Sequence, residues 1–491
     1  MNYLDVVYML VLLGLSGFGF HRLMLLLMSL NRAQKNDHRS NESLNEKGAL
    51  LPKVTVQLPI YNERHVATRL IEAACLLDYD RDRMEIQVLD DSTDDTRILI
   101  DESVAHWRSH GYPIEVIRRH ERIGFKAGAL SEGMQQASGE LIAVFDADFI
   151  PQKSFLRSLI PHLQAPNIGM VQARWAHLNR HESLLTEAQA VLLDGHFSIE
   201  QRARNLNGLW FNFNGTAGIW KRACIEEAGG WAHETLTEDL DLSYRAQMKG
   251  WSFKYVDEVG VPSELPTGLD AFRSQQHRWA KGSIQVAKKL LPRILRGQYS
   301  IRIKFEAMCH LLANLNYLLV SALCVAVPLI VLYEPGTGLL SWIGGQLFLV
   351  GSCCFGLFYL GSQREQQPLM RTCALLPFVF ALGLSLCLNN SKAVIEALLG
   401  QISPFVRTPK SGSLGQKLSL NTRYLVDSNR TLNLIESLML IVYAGALGVS
   451  IHHGIWQHVP LLSLFIAGFS VRFWGSMRVT FGPFLKVRSF R

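Results

Sequence analysis

Charge is scarce in this chain. Lys, Arg, Asp and Glu make up 19% of its 491 residues, low for a soluble protein and ordinary for one partly sunk in a membrane. The eight cysteines are scattered, form no C-x-x-C pair, and include Cys353 and Cys354 inside an apolar run, so neither a zinc site nor a disulfide framework can be read. There is no G-x-G-x-x-G and no G-x-x-x-x-G-K-[ST], which removes the usual phosphate cradles of dinucleotide and P-loop proteins. No long basic run carries interleaved aromatics, so nucleic acid is set aside as a partner. Internal repeats and low-complexity tracts are also missing. The net charge of +7 is a mild excess that suits anionic lipid or a phosphate-bearing substrate.

What the chain has is apolar length. Residues 3–30 are long enough to span a membrane, begin with an acid and are followed by Arg32, Lys35 and Arg39. That charge order argues against a cleaved signal and puts the following segment in the cytoplasm. Further apolar runs cover 309–333, 339–361, 372–388, 434–452 and 459–477. If 372–400 crossed the membrane, the basic loop from Arg407 to Arg430 would lie outside, so that segment is expected to lie in the interface beside about five spanning helices. A basic amphipathic helix over 282–297 is a second surface-lying candidate.

Between Val54 and about Pro266 the pattern changes to strands alternating with helices. VTVQLPI, EIQVLDDS, IEVIRR and LIAVFDAD read as strands, with helices near 67–77, 96–109 and 126–137 between them. This is the pattern of an α/β domain with a largely parallel sheet, whose ligands bind outside the carboxyl ends of its strands. Three strand ends carry acids or amides: Asn62 and Glu63, Asp90 and Asp91, Asp146 and Asp148.

Each cluster admits a plain reading and a chemical one. Asp146-x-Asp148 either closes a turn or holds a hard divalent ion that keeps sites for phosphate oxygens. Asp90-Asp91-Ser92 caps the next helix, recognises a base or ribose, or does both. Lys126 opens a helix after a glycine and suits a diphosphate, or is a surface lysine. Thr237-Glu238-Asp239 starts a helix, where acids serve the dipole or supply a catalytic base; Asp241 competes for that role. Gln275, Arg278 and Trp279 hold a phosphate and a ring face, or anchor the chain at the membrane boundary. SPFVRTPK, from Ser403 to Lys410, is a mobile lid or a basic cytoplasmic loop.

The order LPIYNE, LDDS, KAGAL, DAD, FNGT, TED and QxxRW resembles the membrane-bound family 2 glycosyltransferases, within them the cellulose synthase-like group. FNFNGTAGIW, EEAGGW, TEDLDLSYRAQMKGW and QQHRW are similar to its mannan and glucan synthases. The resemblance implies a GT-A-type (Rossmann-like) cytoplasmic domain joined to an α-helical transmembrane region. The expected division is a transmembrane helix at 1–31, a linker at 32–53, the transferase domain at 54–283, then interfacial and transmembrane helices with a gating-type loop at 403–412. It further implies that Asp90 or Asp91 contacts the nucleotide and that Lys126 lies near its diphosphate. Asp146 and Asp148 would hold Mg2+ or Mn2+, Phe213 to Thr216 would shape the acceptor end, and Asp239 would be the general base. Gln275, Arg278 and Trp279 would hold acceptor sugar and pyrophosphate, with Thr237 and Glu238 also at the substrate.

The implied reaction is an inverting hexose transfer from a nucleotide sugar of the UDP-glucose or GDP-mannose type to a growing β-glycan that is passed across the membrane. The implied setting is an integral membrane in contact with lipid, the inner or plasma membrane of a bacterium or the Golgi of a eukaryote. FNGT in place of an FCGT-like form favours the mannan-type branch. A single N-terminal span without an appended regulatory domain gives no support to activation by a second messenger. Two alternatives remain, a single-addition transferase with a lipid acceptor and a non-catalytic membrane protein.

Overall fold

A computed structural model describes residues 3–30, 51–333, 339–402, 410, 412 and 430–474. Most of the expected linker lies outside the described residues, as does the gating-type loop apart from Lys410 and Gly412.

Seven strands form one sheet: β1 (Val54–Ile60), β2 (Met84–Asp90), β3 (Ile114–Ile117), β4 (Leu141–Val144), β5 (Ile168–His177), β6 (Gly218–Lys221) and β7 (Ser252–Ser263). Their spatial order is β3-β2-β1-β4-β6-β5-β7. The four strands legible in the sequence pair in parallel, in the register Val54 with Met84 and Leu141. The sheet is nevertheless mixed, because β6 runs antiparallel to both β4 and β5.

Helices cover both faces, as the near-continuous apolar strands require. On one face α2 (Ala67–Cys75), α3 (Thr96–Ser109) and α5 (Phe155–Leu159) bury Leu70, Ile71, Ile100 and Phe155 against Val54, Val56 and Leu58. On the other, α4 (Phe125–Gln136), α8 (Arg222–Glu227) and α9 (Glu238–Met248) bury Leu130, Ile225 and Leu242 with Ile142 and Val144. The strand alternation of side chains produces this division, since successive residues of β1 and β4 face opposite sides.

The apolar runs become α1 (Tyr3–Leu30) and a bundle beyond the sheet. Between them come α6 (Leu184–Asp194) and α7 (Arg202–Leu206), which stand under the sheet, then α10 (Leu269–Arg296) and α11 (Ile301–Leu311). The bundle proper is α12 (Asn316–Tyr333), α13 (Leu339–Ser362), α14 (Leu369–Ser385), α15 (Cys387–Leu398), α16 (Arg430–His452) and α17 (Val459–Trp474). Among the described residues, five helical stretches are long and apolar enough to cross a membrane: Val6–Leu30, Ala313–Leu332, Trp342–Ser362, Leu369–Leu398 and Arg430–His452. The run at 459–477, expected to span, contributes over its described part to a shorter apolar helix, Trp456–Val471.

The segment expected in the interface has the length and apolar character of a span, and it packs against α10 and α6 and against the bundle helices α12 and α17. Arg371 pairs with Glu187 near its start. At its middle Arg273 donates to the Ser385 carbonyl (3.1 Å) and Asn389 to the Arg273 carbonyl (2.9 Å). At its end Lys281 pairs with Glu396 (2.9 Å), and Lys288 donates to the Leu398 carbonyl (2.8 Å), a cation on the open carbonyls of a helix C-terminus. The basic stretch expected at 282–297 is the second half of α10, which begins with the QxxRW residues.

Arg273 of α10 also pairs with Glu436 of α16 at 2.7 Å, with side chains 6% and 1% exposed. Removing one partner of such a pair leaves a buried charge. Arg273→Met is therefore expected to destabilise the protein by about 3–5 kcal/mol. Thermal unfolding in nanodiscs checks this, and an unchanged midpoint would show that the pair holds nothing together.

Candidate active site

The carboxyl ends of β1, β2 and β4 open on one edge, and a cavity of about 190 Å3 lies there. The loops that line it are fastened to one another. Asn62, just past β1, donates from its backbone to the Ser92 hydroxyl (2.9 Å), and its side-chain oxygen accepts from Thr93 N (2.8 Å). Beyond β4, the Thr216 hydroxyl accepts from Asp146 N (2.9 Å), while Gln172 of β5 accepts from Asn214 N (3.0 Å). These bonds hold residues in backbone conformations that side chains resist. Asn62 and Phe125 have φ of 54° and 49°, each beside a residue of the cavity wall, and Ala217 has φ of 57°. Such strain costs roughly 1–3 kcal/mol per residue and persists where the surroundings fix it.

Asp91, Lys126, Asp146 and Asp148 share this wall with Thr237, Glu238, Asp239, Gln275, Arg278 and Trp279. Asp90 does not join them. Its carboxylate is buried, takes Arg118 Nε at 2.7 Å and accepts from Ser92 N at 2.9 Å, so it shapes the turn. Asp91 faces the cavity and is held by a two-pronged Arg119. Asp241, the rival acid of α9, is also removed: it binds Arg245 (2.7 Å) and Lys289 (2.9 Å) away from the cavity. Of the FNGT residues, Phe213 is fully buried against Trp220, and Asn214 and Gly215 reach the wall.

Lys126 sits among the acids. Its ammonium contacts Asp146 Oδ1 (2.5 Å), the Gly215 carbonyl (2.9 Å) and Glu238 Oε1 (3.9 Å). Burial would lower its pKa, but Asp146, Glu238 and Asp239 outweigh it and hold it above the ordinary value. Asp239 lies in the first turn of α9, where its Oδ1 accepts from Leu240 N (2.8 Å). Burial pushes its pKa up to about 7, with Glu238 adding to the rise and Lys126 opposing it. A carboxylate poised there suits a general base at neutral pH. Gln275, Arg278 and Trp279 fall at i, i+3 and i+4 of α10 and so share one face. Burial lowers the Arg278 pKa against the pull of Glu238, Asp146, Asp239 and Asp148.

Asp148 takes Lys410 Nζ at 2.7 Å, and Lys410 also donates to the Glu264 carbonyl (3.0 Å). Lys410 belongs to the SPFVRTPK stretch, so its two cations were the signal for it. Glu264 and Trp175 carried no such signal, because they come from strand ends that hold no acid pair.

The two carboxylates thus each carry an ammonium. No cluster of three or more His, Cys, Asp or Glu suited to a metal exists among the described residues. Two hard oxygen donors in a walled cleft would fit Mg2+ or Mn2+ once the two ammoniums are displaced.

A second cavity, of about 470 Å3, continues into the helical bundle. Trp175, Leu193, Asn214, Thr237, Asp239 and Trp279 line both. The second is walled by aromatic rings, among them Tyr317, Phe348, Phe355 and Tyr359. Gln189 Oε1, Asn212 Oδ1, Asn316 Oδ1 and Thr237 Oγ1, all buried on its wall, have no hydrogen-bond partner among the described residues.

The model of the glycosyltransferase-like family 2 matches residues 52–282. Glucomannan 4-beta-mannosyltransferase 2 of Arabidopsis thaliana is 38% identical over 390 residues, covering 76% of this chain and 70% of that protein. Glucomannan 4-beta-mannosyltransferase 9 of the same plant is 34% identical over 444 residues, covering 85% and 80%. A solved mannosyltransferase from Pyrobaculum calidifontis, in complex with GDP-Man and Mn2+, is 17% identical at a TM-score of 0.48 and covers 81% of this chain and 100% of that one, too slight a likeness to carry an argument.

Gly215 has φ +82°, and a Cβ there would lie 3.1 Å from Asp239 Oδ2 and 3.3 Å from Lys126 Nζ. Gly215→Ala is expected to cost about 1–3 kcal/mol of stability through backbone strain. It should also shift the titration of Asp239, read by carboxylate infrared difference spectra; a variant matching the wild type in both would contradict this geometry.

Proposed function

The chain belongs to the family 2 glycosyltransferases, in their cellulose synthase-like group, and from that premise we propose a processive inverting β-glycosyltransferase that extends a polysaccharide and passes it into the membrane. The donor is a nucleotide sugar of the GDP-mannose or UDP-glucose type. The observation that carries this reading is the continuity of the two cavities at Asp239 and Trp279. A transferase releasing a soluble product needs no aromatic cavity behind its base.

The nucleotide lies at the ends of β1 and β2, beside Asp91 and the Arg122 guanidinium, which stacks 3.3 Å over the Tyr61 ring. Lys126 and Arg278 take the diphosphate. Asp146 and Asp148 would hold the divalent ion, which when bound neutralises charge on the leaving diphosphate. Trp279 offers a ring face to the acceptor sugar, a contact that tolerates successive units. Asp239 removes the proton of the acceptor hydroxyl as its oxygen bonds to the anomeric carbon. The bond from that carbon to the diphosphate oxygen breaks on the opposite side, and the diphosphate leaves with the electron pair. One displacement inverts the centre and needs no covalent enzyme intermediate.

Lys410 closes the site from the SPFVRTPK side. Its bond to Asp148 occupies a group the ion would use, so donor binding is expected to move it onto phosphate. The single-addition alternative would use the same edge and would seat its lipid acceptor in the second cavity, so the size of the product separates the two readings.

Asp239 must be ionised to act. With a pKa near 7, transfer is expected to fall about tenfold per pH unit below that value and to level off above it. Asp239→Asn should cut transfer about 10²- to 10⁴-fold at every pH while nucleotide binding survives. The assay is purified protein in nanodiscs with a panel of nucleotide sugars and Mg2+ or Mn2+, followed by product sizing. Wild-type turnover by the variant would remove Asp239 from the role, and one discrete glycolipid as product would favour single addition.

A further inference from the structure

Between α6 and α7 the chain winds through a π-helical stretch, Gly195–Gln201. Such stretches are rare and recur at functional sites. The wider winding turns residues five apart toward the same side, where an α-helix would splay them. Here those residues are His196 and Gln201, and both reach Asn214. Gln201 donates to Asn214 Oδ1 at 2.6 Å, and Asn214 Nδ2 lies 2.9 Å from His196 Nε2.

The two contacts leave the carboxamide one orientation. They also settle the imidazole. An amide nitrogen only donates, so Nε2 is the bare nitrogen and the proton is on Nδ1, facing Glu200 Oε2 at 3.4 Å. Glu200 is in turn held by Arg22 of α1 and by Arg204 Nη1 at 3.3 Å. Arg204 continues to Glu306 (2.9 Å), which bonds His21 of α1 (2.9 Å). The membrane helix is pressed in close: the Arg22 guanidinium lies 5.3 Å from the Phe358 ring centre, and a Cβ at Gly195 would meet that same ring at 2.6 Å. Asn214 Nδ2 carries two hydrogens, and only His196 takes one among the described residues. Asn214 lines both cavities.

We propose that His196 is a positioning residue for the acceptor. With Gln201 it turns the Asn214 amide so that its second hydrogen meets a hydroxyl of the acceptor's terminal sugar. This rests on the glycan-extending reading of the site. The charged and titratable groups around His196 are Glu200 on its own stretch, Arg204 of α7, Arg22 and His21 of α1, Glu306 and His310 of α11, and Asp239 across the cavity. Burial, with Arg204 and Arg22 adding to it, pushes the His196 pKa down to about 3, so the ring stays neutral through the physiological range. A protonated ring would present Nε2–H to an amide N–H, and the amide would turn over.

The test uses the full chain in nanodiscs with saturating nucleotide sugar and a 4-β-linked manno-oligosaccharide acceptor. His196→Leu is expected to raise the acceptor KM about five- to tenfold, the loss of one aimed hydrogen bond, with kcat and donor KM held within about twofold. His196→Gln, whose carboxamide oxygen accepts the same hydrogen, restores the acceptor KM. The proposal is overturned if His196→Gln is no better than His196→Leu, or if the variants lose nucleoside diphosphate binding, which would make the network merely structural. Absence of transfer by the wild type would instead count against the transferase reading.

Discussion

The site depends on one buried ammonium. Lys126 joins the end of β4, the turn at Gly215 and the start of α9, three segments from distant parts of the chain. Asp146, Glu238 and Asp239 could not crowd one cavity without it, because burying like charges together drives them to protonate. Its effect on them is graded. Asp146 touches the ammonium and Asp239 does not, and Asp239 keeps a pKa raised to about 7. One cation thus steadies a buried acid cluster and leaves one of its carboxyls titrating close to neutrality.

The parallel half of the sheet was legible because each of its strands is an apolar run ending in polar or charged residues, a pattern that buried strands opening on a ligand edge produce and surface loops do not. The other half was not. β6 is only four residues long, and β7 contains Gly260 and Pro262, which blur a strand pattern. Acid pairs pointed to the edge where the cavity lies but not to which member of each pair lines it. Asp90 and Asp91 look alike in sequence; Arg118 turns one inward to the fold, and the chain's exit from β2 leaves the other at the cavity. Asp239 and Asp241 are separated in the same way by Arg245 and Lys289. His196 gave no signal, since its role comes from a π-helical turn and from a partner eighteen residues on, neither visible as spacing.

The bundle and the sheet are parts of one device. α10 carries Gln275, Arg278 and Trp279 at its start and Lys281 and Lys288 further on, so the helix that faces the donor is also bonded to α15. α1 reaches the acceptor side through Arg22, Glu200 and His196. The aromatic cavity between them begins where the base is. The second cavity leads from Asp239 among the apolar helices.

The most direct measurement follows the product. Protein is reconstituted in sealed liposomes with its sheet domain outward, and labelled nucleotide sugar is added outside. Passage of the glycan through the bundle predicts labelled polymer that resists an added glycanase until the vesicles are opened with detergent. Polymer that the enzyme digests fully in intact vesicles would contradict it, because the glycan would then have left on the side where it was made.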